Sequence, residues 1–505
     1  MPFGTSPGDA PQPRTAARVV ILGGGFSGAM TALHLARAAK APVDIDIVEP
    51  RPLLGGGVAY STPDPQHRIN VPAARMSAFS DDMGHFDRWV RRQGILATDP
   101  QALVKGGHAF PSRLEFGRYL DGLVREQAVA DGPAHIRHVQ QRAISVTPIP
   151  RDAPPGQSYG FAVALESGAR LVADILVVAT SHPPPAPPAR LTQALGDDPR
   201  LIVNPWAPGA LDNIPVDGRV LVMGSGLTMA DIVATLGDGR HRGPITVFSR
   251  RGLTPRGHAL DAGDLIGDFA GQPATTSLEL LRRIRTAVAE AKAEGKPWQP
   301  VLDAVRRDAR TVWRALSLNE RRRLLRHLRP FWDVHRYRIA PQPEAMLQDL
   351  EAQGRLEVLA ASLADITPAP DGIHVTLRAR RNGAFLERTV DAVVVATGPA
   401  HDHLIDAVPA LAPLVTAGRL YPDALGLGIE VDEQSRAVDV RGVADETLWV
   451  AGPLARGTFG ELMGLPQVLT HAEDVARAIA RRLPGQPAPE VKGAARTRAR
   501  APVAG

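Results

Sequence analysis

The chain is predicted to be an α/β protein built from two dinucleotide-binding domains, a Rossmann-like one and a second inserted into it that carries a helical insert. Three observations predict this. Apolar strands run straight into glycine-rich turns twice, at Val19-Val20-Ile21-Leu22-Gly23-Gly24-Gly25-Phe26-Ser27-Gly28 and at Val220-Leu221-Val222-Met223-Gly224-Ser225-Gly226. Apolar strands return late, around residues 393–398 and 449–453, as a sheet assembled from both ends of the chain requires. Between them, residues 275–330 switch to helical periodicity.

In chain order, residues 1–17 are Pro/Gly-rich without the apolar stretch of a signal peptide and are expected to be disordered. The first part of the first domain spans 18–200. Arg18–Leu22 reads as a buried strand, Phe26–Ala39 as a helix with Ala29, Leu33 and Ala36 on one face, and Val43–Val48 as a second strand. Asp174–Ala179 is a further strand, left through the extended run Ser181–Pro188. The second domain spans 201–370 and opens with Val220 onward, Asp231–Leu236 as helix and Ile245–Phe248 as strand. Within its 275–330 insert, Leu281, Ile284, Val288 and Ala291 form a stripe, and Thr276 with Glu279 and Ser317 with Glu320 fit capping boxes. Residues 371–483 return to the first domain through strands at Gly372–Arg378, Val390–Ala396 and Leu448–Gly452 and a helix from Leu465 to Arg482. A basic tail, 484–505, lacks apolar periodicity and is expected to be disordered.

Composition narrows the function. At 505 residues the chain is too long for one simple core. It contains no cysteine, which excludes disulfides, thiolate metal sites and a Cys-x-x-Cys redox pair. The net charge of +5 owes much to Lys492, Arg496, Arg498 and Arg500 in the tail, and the rest is nearly neutral, so nucleic acid is not an expected partner. No apolar run approaches the ~18 residues of a membrane span, and a cytoplasmic protein is expected. His67, His85 and His108 lack metal-ligand spacing, so no metal site is expected.

The first turn carries the full dinucleotide pattern. Gly23 permits the turn out of the strand, Gly25 lets backbone approach a pyrophosphate, and Gly28 lets helix and sheet pack closely. Ser27 lies at the helix start, whose free N–H groups suit phosphates. Glu49, at the end of the second strand, can accept from ribose hydroxyls, with Arg51 beside it. FAD is favoured as the occupant because Val393-Val394-Val395-Ala396-Thr397-Gly398 and Trp449-Val450-Ala451-Gly452 look like strands that meet a flavin, through Gly398 and Gly452. The second turn has Gly224 and Gly226 but Met229 at the third position, with Ala230 following. Its next strand ends in Ser249-Arg250-Arg251 and no acid. Arginines there suit a 2′-phosphate, so the residues tilt toward NADPH over NADH.

Further motifs carry a resemblance. Gly57-Val58-Ala59-Tyr60-Ser61-Thr62, Asn70-Val71-Pro72-Ala73, Met76-Ser77-Ala78-Phe79, Phe110-Pro111-Ser112-Arg113, Phe116-Gly117-Arg118-Tyr119-Leu120, Trp332-Asp333-Val334-His335-Arg336 and Gly452-Pro453-Leu454-Ala455-Arg456-Gly457 span residues 18 to 480. With the Gly23 motif, they resemble a bacterial family of FAD/NAD(P)-binding proteins linked to flavin-dependent monooxygenases. The resemblance implies relatives that include FAD-dependent urate hydroxylases and an aspartate N-hydroxylating monooxygenase. One departure is Arg456-Gly457-Thr458, where an aromatic is expected after Arg-Gly.

The expected chemistry is hydroxylation of a small molecule with O2 and NAD(P)H, with urate as the leading substrate. N-hydroxylation of an amino acid is the alternative, followed by an NAD(P)H-dependent reductase with a non-thiol acceptor and by a non-catalytic nucleotide-binding regulator. Such chemistry belongs to the cofactor, so no catalytic triad is expected. Asn70, between the Tyr-Ser segment and Val71-Pro72, is a candidate hydrogen-bonding group toward flavin or substrate. His335, Arg336 and Arg338, interleaved with Trp332 and Tyr337, are candidates for an anionic substrate or a cofactor phosphate. Oligomeric state is left open.

Overall fold

The computed structural model describes residues 16–150, 159–180, 185, 187–398 and 408–483. Residues 1–15 and 484–505 of the ends expected to be disordered, and most of the proline crossing at 181–188, lie outside these residues; Ala17, expected in the disordered end, instead opens the first strand. Strand β1 (Ala17–Leu22) pairs in parallel with β2 (Val43–Val48), and β2 with β3 (Ala134–Val139). Strands β4 (Ala143–Pro150), β5 (Tyr159–Leu165) and β6 (Arg170–Ala173) form a separate antiparallel sheet. β7 (Ile175–Val178) returns to the other side of β1.

The second sheet begins with β8 (Leu201–Ile202), β9 (Val220–Met223) and β10 (Ile245–Ser249). It continues after the helical insert with β11 (Leu356–Ala369), β12 (Gly372–Ala379), β13 (Phe385–Val390) and β14 (Ala392–Val395), in the order β13-β12-β11-β10-β9-β14-β8. The late strands β15 (Arg436–Val438) and β16 (Ala444–Val450) complete the first sheet as β15-β16-β7-β1-β2-β3.

Side-chain alternation explains why these strands are covered on both faces. Val19 and Ile21 point to one face, packed with the Phe26–Ala38 and Gln467–Ala480 helices through Ala29, Leu33, Leu469 and Val475. Val20 and Leu22 point to the other, among Val146, Phe161 and Val163 of the antiparallel sheet. In the second sheet Val220 and Val222 face the Leu227–Gly237 and Pro341–Ala352 helices, while Leu221 and Met223 face Leu191, Ile373 and Val375.

Two expectations are corrected by this topology. β12, β13 and β14 belong to the second sheet, so the return to the first domain comes after β14, not at 371. Val393–Val395 therefore lies between β8 and β9, in the second sheet and not in the one that carries the first glycine turn. A wholly apolar strand suits the centre of any parallel sheet covered on both sides, so its composition does not select the sheet. The helical insert runs past 330: its helices are Ser277–Ala293, Gln299–Arg307, Ala309–Ala315, Leu318–His327 and Arg329–Arg336.

The caps start two of these helices as the sequence indicates. Thr276 and Ser317 side chains accept from Glu279 N and Glu320 N, at 3.2 and 3.3 Å. Glu320 does not close its own box. Its carboxylate accepts from Ser277 N and Oγ at 2.8 and 2.6 Å, tying one helix to the start of another.

Candidate functional site

The first glycine turn sits at the carboxyl end of β1. Gly23 has φ +96°, its N–H donates to Val48 O at 2.9 Å, and a Cβ there would fall 2.6 Å from Ala179 O. Gly28 lies in the first turn of the helix, where a Cβ would collide with Gly23 O. Gly25 is that helix's N-cap and supplies no side chain to its free N–H groups, leaving them for an anion. At the end of β2, the buried Glu49 carboxylate accepts from Gly24 N (3.0 Å), Arg51 N (3.0 Å) and Arg51 Nη1 (3.1 Å). These contacts hold the acid against the turn.

The late strand closes on the same place. Gly452 follows β16 with φ +85°, and a Cβ there would collide with Ser27 Oγ. Its N–H donates to His471 Nδ1 at 3.2 Å, so the ring's Nε2 faces Ser435 Oγ, 2.7 Å away. Burial pushes His471 down to about 4, which keeps it neutral and able to accept. Residues 453–463 are thereby delivered beside the start of the first helix.

The second turn repeats the construction around β14. Gly224 has φ +113°, donates to Phe248 O at 2.9 Å, and lies so close over Ala396 O that a Cβ would collide. Ala396 thus plays beside Gly224 the part that Ala179 plays beside Gly23. Gly398 (φ +78°) follows β14, two residues beyond Ala396. Met229 is fully buried in the helix–sheet core, while a Cβ on Gly226 would meet nothing within 4 Å. Ser225 Oγ donates to Leu253 O at 2.6 Å and fixes the loop after β10. Arg250 and Arg251 are exposed there, and neither is ion-paired among the described residues; the Arg251 guanidinium lies 5.5 Å from the Phe331 ring centre.

A buried ion pair joins the two domains. Arg113, at the start of the Arg113–Ala128 helix, donates to Asp231 of the Leu227–Gly237 helix at 2.8 and 2.9 Å and to Arg68 O at 2.9 Å. Beside it His67 Nε2 lies 3.0 Å from Thr235 Oγ1, which donates to Asp64 Oδ2 at 2.6 Å. His67 is therefore an interdomain contact. Arg113 stands in a motif quoted above and Asp231 opens a helix read from the sequence, but a partnership across 118 positions has no local signature.

The remaining candidates are not brought to one point. Arg336 forms a buried pair with Glu461 at 2.7 Å, and Trp332 Nε1 donates to the same carboxylate at 3.3 Å. Arg338 instead pairs with Asp303 at 2.9 Å, and His335 Nδ1 meets Phe331 O at 2.7 Å within its helix. Asn70 contributes its carbonyl, which accepts from His258 Nε2 at 2.8 Å. The Leu281, Ile284 and Val288 stripe is only half-buried, because it lines a cavity of about 670 Å³ under the insert. The cavity's far wall includes Leu427, Arg456, Gly460, Glu461 and Met463. Apart from Leu427, these belong to the segment that follows Gly452. Trp313 Nε1 donates to Gly457 O at 2.9 Å, locking insert to segment.

Two buried histidines give the fold a predicted acid sensitivity. His258 and His471 are both pushed by burial to about 4 from an ordinary 6.5. A folded-state pKa below the unfolded one leaves stability intact above pH 6.5 and removes it as pH falls toward 4. Each should cost on the order of 2 kcal/mol by pH 5. Thermal midpoints from pH 8 to 4.5 check this: His258→Gln, which keeps a donor for Asn70 O, should flatten the decline. An unchanged slope would count against it.

Residues 20–183 match the FAD-NAD(P)-binding family. No curated protein matches the chain. The fold is shared with solved structures over nearly their whole length. L-lysine 6-monooxygenase from Pseudomonas syringae has TM-score 0.60 and 19% identity, covering 92% of this chain and 99% of that one. Ornithine hydroxylase from Pseudomonas aeruginosa gives 0.59 and 17%, with the same 92% and 99% coverage. Ornithine N-hydroxylase from Kutzneria sp. 744, solved with reduced FAD, NADP+ and L-ornithine, gives 0.57 and 19%, again covering 92% and 99%. The chain thus has the two-dinucleotide-domain flavoprotein fold and an FAD/NAD(P)-binding domain. No helix among the described residues is long and apolar enough to cross a membrane.

Proposed function

We propose that the protein is an FAD-dependent monooxygenase that draws electrons from NAD(P)H and hydroxylates a nitrogen of a small organic substrate. The observation that carries this is the pair of glycine turns, each backed by its own parallel sheet and each leading into an uncapped helix N-terminus. For an amine the balance is NADPH + H+ + O2 + RNH2 giving NADP+ + RNHOH + H2O. Bound FAD supplies the two-electron exchange between nicotinamide and O2. The Gly23–Gly28 turn would hold its pyrophosphate, Glu49 its ribose hydroxyls, with Arg51 alongside, and Ser27 with Gly452 would border its far end.

The fit is chemical as well as steric. The turn leaves no room for a Cβ at positions 23 and 28, and an acceptor-only carboxylate stands where hydroxyl donors are expected. The chain's own tasks are to orient both nucleotides, to exclude water with the apolar insert, and to keep His471 neutral under Gly452. Gly224, Gly226 and Gly398 would serve the nicotinamide nucleotide, with Arg250 and Arg251 at its 2′-phosphate. The N-hydroxylating enzymes that share the fold support this chemistry over urate hydroxylation, the leading expectation from sequence.

The test is anaerobic mixing of the yellow protein with NADPH or NADH, then oxygen with amine substrates or urate. NADPH should bleach the flavin, and an amine should release a hydroxylamine. A protein that stays oxidised with both nucleotides would sink the proposal. Loss of one charge-assisted contact costs ~1.5–3 kcal/mol, so Arg250→Ala should raise KM for NADPH by about 10- to 100-fold and leave NADH nearly unaffected. Equal effects on both would remove Arg250 from the 2′-phosphate site.

A further inference from the structure

The cavity under the insert does not offer what a free amino acid needs. Its body is walled by Leu281, Ile284, Val288, Leu324 and Leu328, and its volume of about 670 Å³ is that of a small-molecule site. Charged groups gather at the end that includes Gly460, Glu461 and Met463. There Arg329 and Arg456 stand with Asp333 and Glu461, two cations against two carboxylates, so no surplus charge is left to hold an amino-acid head group. Arg285 and Lys292 also border the cavity, but both are exposed and keep their charges in water.

One carboxylate at that end is open to a ligand. Glu461 is 7% exposed and already takes Arg336 at 2.7 Å and Trp332 Nε1 at 3.3 Å. Asp333 meets Arg329 at 3.5 Å, a looser contact that leaves its side chain 36% exposed in the cavity wall. The same carboxyl lies deep enough that desolvation pushes it up to about 6, and a cation beside it offsets that rise. An amine nitrogen seated at Asp333 puts the rest of its molecule among the leucine, isoleucine and valine side chains. A hydrocarbon gains about fourfold in affinity there per buried methylene. A second charged group is stripped of water without a partner.

We propose that the cavity is the substrate pocket of the oxygenase and selects a monoamine with an extended apolar body over an amino acid, its nitrogen at Asp333 and its hydrocarbon under the insert. The pocket assignment rests on the monooxygenase reading, through the cavity's wall of residues that follow Gly452. The preference for an apolar body rests on the cavity itself.

Pentylamine, octylamine, octanol and lysine titrated calorimetrically into the FAD-loaded protein test this. Lysine is pentylamine with a carboxylate and a second ammonium on the carbon farthest from the amine. Octylamine should bind about 10- to 60-fold tighter than pentylamine, and lysine more weakly than pentylamine. Asp333→Asn should weaken octylamine by about tenfold or more and leave octanol unchanged, whereas Ile284→Trp, which fills the cavity, should weaken both. Flavin absorbance and thermal midpoint establish that each variant is folded; should one not fold, the parent protein's chain-length series decides alone. Lysine binding as tightly as octylamine, or affinity independent of chain length, would overturn the proposal. So would a folded Asp333→Asn protein that binds octylamine like the parent. Octylamine binding as expected to a protein whose flavin NADPH cannot reduce would sustain the amine cavity and defeat the monooxygenase reading. A hydroxylamine formed from lysine but not from octylamine would do the reverse.

Discussion

Alanine at position 28 is expected to give a colourless protein, destabilised by about 3 kcal/mol through overpacking. The added methyl group collides with Gly23 O, and that oxygen has nowhere to go. Gly23 N–H is tied to Val48 O, and the other side of Gly23 rests on Ala179 O. Relief must come from lifting the Phe26–Ala38 helix, which unpacks Ala29, Ala32 and Leu33 from the sheet. The same movement withdraws the N–H groups offered to the pyrophosphate. Gly226→Ala is the control, since its methyl group enters open space and should leave stability unchanged. Flavin absorbance per protein and the thermal midpoint measure both effects. A yellow Gly28→Ala protein with the parent midpoint would mean that the close approach is not required.

Breaking the Arg113–Asp231 pair should be as damaging by a different route. Asp231→Ala leaves a buried guanidinium with one backbone acceptor, Arg68 O, at a cost of ~3–5 kcal/mol. Arg113→Met combined with Asp231→Leu removes both charges and should recover most of that loss. The distinguishing readout is flavin reduction. The pair ties the Arg113–Ala128 helix to the Leu227–Gly237 helix, so under the proposed function the double variant should be stable yet reduced more slowly by NADPH than the parent. If it is reduced at the parent rate, the pair serves stability alone.

The sequence reveals each nucleotide turn as a unit because its information is local. Strand, glycines, helix and Glu49 lie within a few dozen positions, and Gly23, Gly28 and Gly224 each have a steric reason visible in the structure. The capping residues Thr276 and Ser317 are legible for the same reason. Sheet membership is not local. Val393–Val395 reads the same whether it flanks Val19–Leu22 or Val220–Met223, and only the long-range pairing decides. The cavity escaped notice because the stripe at Leu281, Ile284 and Val288 looks like any core-facing helix. Only the folded arrangement shows that no described side chain fills the space before it.

The position of β7 has a consequence for how the chain is made. β7 has β1 on one flank and β16 on the other, and residues 444–450 are among the last described to leave the ribosome. Until they emerge, Ile175–Val178 presents an uncovered strand edge during synthesis of the whole inserted domain. Vectorial folding can therefore finish the inserted domain before the one that encloses it. A nascent chain stalled anywhere short of β16 exposes that edge, and chaperones that hold apolar segments should engage it there.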